Sequence, residues 1–150
     1  MTFPTHIIAG LIVGKLTGQY GVAIAGALLI DVDHLYVYAR EGLLTKPKLL
    51  WRTTLHEDDP YQGLRSFFHS IWSFGVISLI AYIFFPALAV SFIAGYANHL
   101  LLDGLDASDF WPFRPLSNWN LRGPIKYRSY SELALFLGLA MIFILLVIMK

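Results

Sequence analysis

Cysteine is absent from the 150-residue chain, which excludes disulfides and thiolate metal sites and leaves imidazole, carboxylate and water as ligand chemistry. Charge is scarce as well: Asp, Glu, Lys and Arg make up 14% of the residues, with a net charge of +1. So sparse and balanced a set forms no basic stripe, and nucleic-acid binding is set aside. The N-terminus lacks the basic n-region of a signal peptide, and His6 and Lys15 interrupt its first apolar run. Retained structure is expected there, with no targeting segment removed. No internal repeat or low-complexity tract is apparent.

What the chain does have is apolar surface: 57% of its residues are hydrophobic, and the mean hydropathy is +0.61. A bilayer is the natural solvent for such a composition. Residues 67–85, 86–102 and 133–149 each approach the roughly 20 residues needed to cross a hydrocarbon core of about 30 Å. Residues 4–16 and 20–34 read as two shorter helices joined by a glycine-containing turn, with Pro4 suited to a first helical turn. Neither reaches comfortably across a bilayer; each is a short sheltered span or enters only part of the way. Polar loops fill 35–66 and 104–130, with a short interfacial helix expected around 49–54. The expected fold is therefore all-α: a polytopic membrane bundle of about five helices forming a single integral membrane domain over residues 1–150.

Lysine and arginine supply the orientation. Arg40, Lys46, Lys48, Arg52 and Arg65 lie in the first long loop, and Arg114, Arg122, Lys126 and Arg128 in the second. An up-and-down path puts both loops on one side, which the positive-inside rule makes cytoplasmic.

The same path gathers ionisable residues. His6 opens the first helix, Asp31, Asp33 and His34 end the second, and His69 starts the third. His99 and Asp103 lie near the end of the fourth, and Glu132 opens the fifth. Alternating helix direction brings all of them to one face. Ionisable groups at membrane depth are costly, so their sharing one level argues for a site. Asp31 and His34 are three apart and His99 and Asp103 four apart, so each pair projects from one helical face. Asp33 joins Asp31 only if the helix loosens between them. Asp31, Asp33, Asp103 and Asp106 at helix C-termini are disfavoured by the macrodipole by a few tenths to about 1 kcal/mol each. A cation is expected to compensate: a divalent ion with His6, His69 and His99 completing an N/O shell of the zinc or manganese kind, or Arg65, Arg52 or Arg114 in a purely structural network.

The stretches Thr5-His6, Asp31-Val32-Asp33-His34, Arg65-Ser66-Phe67-Phe68-His69-Ser70 and Gly95-Tyr96-Ala97-Asn98-His99-Leu100-Leu101-Leu102-Asp103, followed by Trp111-Pro112-Phe113, make an ordered set. That set resembles the YdjM-like membrane-bound metal-dependent hydrolases, some of them LexA-regulated, over nearly the whole chain. The resemblance implies that His6, Asp33, His34, His69, His99 and Asp103 occupy the family's metal-site positions and Glu132 its acidic position opening the last helix. The chain differs in carrying Leu64 and Ser66 where the family often has histidine and glycine, and Asp106 where threonine is common. More distantly, the order His, Asp, His, then His-x-x-x-Asp, then Glu is similar to the zinc-dependent phospholipase C and P1 nuclease group, which hydrolyses phosphoesters on a helical scaffold.

The expected function is a hydrolase in which a divalent ion, zinc or manganese, activates water. Asp33, His69, His99 and Asp103 are the first ligand candidates, with His6 and Glu132 next. Asp31, His34 or Glu132 orients ligands or serves as general base. Arg65 holds an anionic phosphate or is a positive-inside anchor. Membrane lipids are the expected partners, with a phospholipid or other phosphoester as substrate and the site on the cytoplasmic face of the inner membrane. A metal or proton transport protein, or a structural subunit held by salt bridges, is the alternative. His56 with its acidic neighbours reads as a charged surface loop or a second acidic site. Asp106 and Asp109 are ligands, loop caps or solvated groups, Trp111 and Trp119 suit an interfacial belt, and Trp72 reads as packing.

Overall fold

A computed structural model describes residues 1–55 and 67–149. Among these residues the helices are α1 (Phe3–Thr17), α2 (Tyr20–Leu28), α3 (Val32–Arg40), α4 (Pro47–Leu55), α5 (Ile71–Phe84), α6 (Pro86–Leu105) and α7 (Tyr130–Ile148). The only strand-like pairings among them are isolated bridges, Asp106 with Ile125 and Phe110 with Leu121. The fold is all-α, as the apolar runs imply.

Local chemistry sets the helix boundaries. Pro4 and Pro86 lie in the first turns of α1 and α6, where a missing N–H costs nothing and the fixed φ suits the helix. Gly18, with φ +76°, ends α1 in the left-handed conformation that closes many helices. Ser70 and Ser129 cap α5 and α7, each hydroxyl oxygen accepting the backbone N–H three residues on.

Two boundaries differ from the sequence expectation. The Ser70 cap starts α5 at Ile71, so residues 67–70 form a turn and the third run shortens to a helix of 14 residues. The second helix does not stop at His34. It tightens into a 3-10 turn at Leu29–Asp31 and continues as α3, making one apolar span, Tyr20–Arg40. With Pro86–Leu105 and Tyr130–Ile148 it completes a set of three helical spans long and apolar enough to cross a bilayer, while Phe3–Thr17 and Ile71–Phe84 are apolar but shorter. The expected interfacial helix is α4, which leaves Leu49 and Trp51 exposed.

α6 packs against α1, α2 and α5, and α7 lies on α1. Large apolar side chains on the outer faces, among them Leu79 and Ile83 of α5 and Leu137, Ile144 and Ile148 of α7, are exposed, which suits hydrocarbon solvent. At the centre the side chains are small: Ala23, Ala27, Ala89 and Ser91 are buried. There α2 and α6 cross at backbone contact. A Cβ at Gly26 would stand 2.2 Å from the Phe92 carbonyl oxygen, and one at Gly95 2.2 Å from that of Ala23. Apolar solvent does not drive helices together, so close packing of small residues supplies the adhesion.

Gly95→Leu and Gly26→Val are expected to force the crossing apart and destabilise the detergent-solubilised protein by about 1–3 kcal/mol or more. Gly75→Ala and Gly138→Ala, whose added methyl meets nothing within 4 Å, are expected to melt like the parent. Thermal unfolding in one detergent reads all four; equal melting temperatures would contradict the crossing.

Candidate functional site

The α2–α6 crossing places the first functional side chain. One residue beyond Gly26, the Ala27 carbonyl accepts a hydrogen bond from His99 Nδ1 at 2.7 Å. A carbonyl can only accept, so Nδ1 carries the proton and a neutral His99 presents the lone pair of Nε2 inward. His99 Nε2 lies 3.1 Å from His69 Nε2. Asp31 Oδ1 is 3.6 Å from both of these nitrogens, and Asp103 Oδ2 is 3.3 Å from His69 and 3.6 Å from His99.

The 3-10 turn at Leu29–Asp31 meets the condition for Asp33 to join. It swings Asp33 and Asp31 towards the same imidazole, and Asp33 Oδ2 accepts from His69 Nδ1 at 2.8 Å. His69 itself reaches the site because residues 67–70 form a turn ahead of α5. Tyr96, one turn before His99, holds that turn by donating its hydroxyl proton to the Phe68 carbonyl. His6 stacks on His99 with ring centroids 4.0 Å apart, with its Nε2 3.4 Å from Asp103 Oδ1 and its buried Nδ1 lacking a hydrogen-bond partner. His34 stacks on His69 at 5.4 Å and points its ring nitrogens at Asp31 and Asp33, 3.8 and 3.9 Å away.

Seven predicted residues, His6, Asp31, Asp33, His34, His69, His99 and Asp103, thus form one cluster, buried except at one edge. The side chains of Asp31 and His34 are 25% and 28% exposed, against 3% or less for those of His69, Asp33 and Asp103. Burial opposes the charged form of His69, yet hydrogen bonds to Asp103, Asp31 and Asp33 outweigh it and hold the imidazole well above its usual range.

Three sets of side chains have ligand atoms close enough to share an ion: His6, His99 and Asp103; Asp31, His69 and His99; Asp33, His34 and His69. Tetrahedral coordination with bonds of 2.0–2.2 Å separates neighbouring donors by about 3.3–3.6 Å. In the middle set the two carboxylate–imidazole separations of 3.6 Å fall in that range and the imidazole–imidazole separation of 3.1 Å lies just below it. The donor chemistry, imidazole nitrogen with carboxylate oxygen, fits zinc or manganese.

Glu132 is not brought into these sets. One of its oxygens accepts from the Thr2 backbone N–H and, at 3.2 Å, from the Thr5 hydroxyl; the other accepts from the Arg128 N–H. It ties the start of α7 to the start of α1, because its place in the capping turn aims it at backbone donors. Asp106 lies beside the cluster, where it accepts from the Met1 amino group and from Ser108 N–H and hydroxyl at 3.0 and 2.9 Å. Asp103 shares the Met1 amino group at 3.0 Å. Asp109 clamps the loop through Asn120 and Arg122. Arg114 lies over the Trp111 ring at 4.0 Å, and Arg52 is exposed on α4. Trp72 is half-exposed and donates its indole N–H to the Phe113 carbonyl at 3.3 Å. Arg65 and His56 lie outside the described residues.

The positioning roles of the Ala27 carbonyl, Tyr96 and Thr5 have no counterpart in the sequence reading. A backbone acceptor leaves no trace in composition; Tyr96 and Thr5 were visible only as neighbours of histidines within the motifs.

The fold and cluster define a polytopic helical membrane protein with a buried carboxylate–histidine centre at one end of its helices. The YdjM inner membrane protein family matches residues 1–150. The chain belongs to that family, and it is an integral inner membrane protein. No curated protein and no solved structure matches it.

Removing the Glu132 carboxylate leaves buried donors unpaired. Glu132→Ala is expected to cost about 1–3 kcal/mol of stability, with Glu132→Gln recovering part of it. Denaturation in detergent reads the loss, and a melting temperature unchanged in Glu132→Ala would contradict the role.

Proposed function

We propose that this protein is a metal-dependent hydrolase of the inner membrane, using water on a phosphoester or lipid-like substrate at the cytoplasmic face. The convergence of Asp31, His69, His99 and Asp103 at ligand spacing carries the reading. An anionic phosphoester alone would be repelled by these carboxylates. Asp31, His69 and His99 would hold a divalent ion, zinc first and manganese second, which when bound would supply the missing charge and the activation of water.

The chain's own residues do the rest. The Ala27 carbonyl keeps the Nε2 lone pair of His99 aimed inward, and Asp33 orients His69 through Nδ1, as ligand imidazoles require. His34, at the exposed edge, is the proposed base that takes the proton from water as it adds to phosphorus. The ester P–O bond then breaks and the alcohol leaves with a proton. Glu132 is spent on backbone donors and is left out of the chemistry. Arg65, in the motif ahead of His69, is assigned to the anionic head.

The phosphoester choice is a proposal drawn from the order of histidines and aspartates in the sequence; the distant likeness to the zinc-dependent phospholipase C and P1 nuclease group gains no support from solved structures, and Glu132, the last member of that order, is spent elsewhere. The cytoplasmic placement rests on the lysines and arginines of the two long loops. Transport is disfavoured because α6, from Pro86 to Asn98, carries no ionisable side chain except Tyr96, whereas an ion path needs such groups through the span.

Protein purified in mild detergent is expected to retain a divalent metal by elemental analysis, and His99→Ala and Asp103→Asn to lower that content at least about tenfold while remaining folded. A native protein that folds without binding zinc or manganese would overturn the reading. Release of phosphate or headgroup from phospholipid and small phosphoesters is expected from the loaded protein and not from either variant. Metal-dependent ion flux in liposomes without turnover would favour transport.

A further inference from the structure

A groove of about 190 Å³ opens beside the cluster. Leu29, Ile30 and Val32 of the α2–α3 span line it together with Phe68, Ile77 of α5, and Phe92 and Tyr96 of α6. Its one hydroxyl, that of Tyr96, is spent on the Phe68 carbonyl, so the lining offers hydrocarbon only. Its lining adjoins the cluster along the chain: Val32 stands between Asp31 and Asp33, Phe68 precedes His69, and Tyr96 lies one turn before His99.

Depth follows from the helix rise. Phe92 precedes His99 on α6 by seven residues, about 10 Å along the axis. The groove therefore starts at the polar cluster and descends about two helical turns between the α2–α3 span and α5. Leu29 and Val32 are 56% and 49% exposed on a helix that crosses the membrane, so the groove opens sideways towards lipid. Asp31 and His34, the exposed edge of the cluster, lie at its upper end. Polarity along the groove thus runs in the same order as along a bilayer lipid, polar head first and hydrocarbon below. A water-soluble substrate would leave this apolar trough without a partner.

We infer that the groove holds the hydrocarbon chain of a bilayer lipid whose phosphoester head lies at the His/Asp cluster, which makes the substrate a membrane lipid entering from the side. The head half of this statement rests on the hydrolase reading above; the chain half rests on the groove. The groove takes a length of one chain, and specificity falls on the headgroup and the first part of the tail.

Two measurements test it. The full-length protein is reconstituted in phosphatidylethanolamine and phosphatidylglycerol vesicles containing a phosphatidylethanolamine with a diazirine on its acyl chain, and photolabelled positions are mapped by mass spectrometry. Labelling is expected to concentrate at Phe68, Phe92 and Tyr96, well above the outer face of α7. Ile77→Trp, filling the groove from α5, is expected to abolish that concentration, and Ile80→Trp, on the exposed side of α5, to leave it. Unaltered protein gives the second readout: kcat/KM for a long-chain phosphoester is expected to exceed that of its short-chain, water-soluble analogue by about tenfold or more, since each buried methylene adds roughly 0.8 kcal/mol. Labelling equal at the groove and on α7, or equal kcat/KM for both chains, overturns the inference. Groove labelling without turnover of any phosphoester overturns the hydrolase reading and leaves the lipid groove standing. Turnover of the soluble analogue without groove labelling does the reverse.

Discussion

Where α2 crosses α6, Gly26 faces the Phe92 carbonyl and Gly95 faces the Ala23 carbonyl at a distance no side chain would tolerate. One residue on from Gly26 and one turn on from Gly95, that approach lets His99 Nδ1 reach the Ala27 carbonyl. The backbone contact therefore does two things. It supplies packing where hydrophobic association is weak, and it sets the tautomer and direction of the imidazole at the centre of the cluster. Asp31 and Asp103 are carried to that imidazole on the same two helices. His69 comes from a third element, but it is anchored to α6 through Tyr96 and to the α2–α3 span through Asp33.

Charge is the second constraint. Asp31, Asp33 and Asp103 meet in a chain whose outer surface is mostly apolar, and isolated carboxylates in such surroundings are costly. The histidines answer part of that cost by hydrogen bonding, as His69 does to Asp33. The Met1 amino group answers another part at Asp103, 3.0 Å away.

The bundle was legible because hydrocarbon solvent demands long apolar helices, and α6 and α7 follow that pattern closely. The convergence of histidine and aspartate was legible from helix direction alone. The second helix was misjudged at its end. Asp31, Asp33 and His34 look like the polar close of a span, yet the backbone tightens at Leu29–Asp31 and continues to Arg40. That turn brings Asp33 into the cluster and places it in the first turn of α3, where the dipole favours a carboxylate. Glu132 was visible as an acidic residue at the right level, but level does not set direction, and backbone donors at the starts of α1 and α7 claim both of its oxygens.

By itself, the amino-acid order determined the solvent, the helical class and the set of side chains that share one end of the bundle, since these follow from hydropathy, spacing and alternating direction. Only the tertiary structure decided which of them meet within ligand distance, which nitrogen of His99 faces inward, and that an apolar groove descends from the cluster. Those depend on how closely two glycine-bearing backbones approach and on where a helix tightens, and both are set by contacts between residues far apart in the chain.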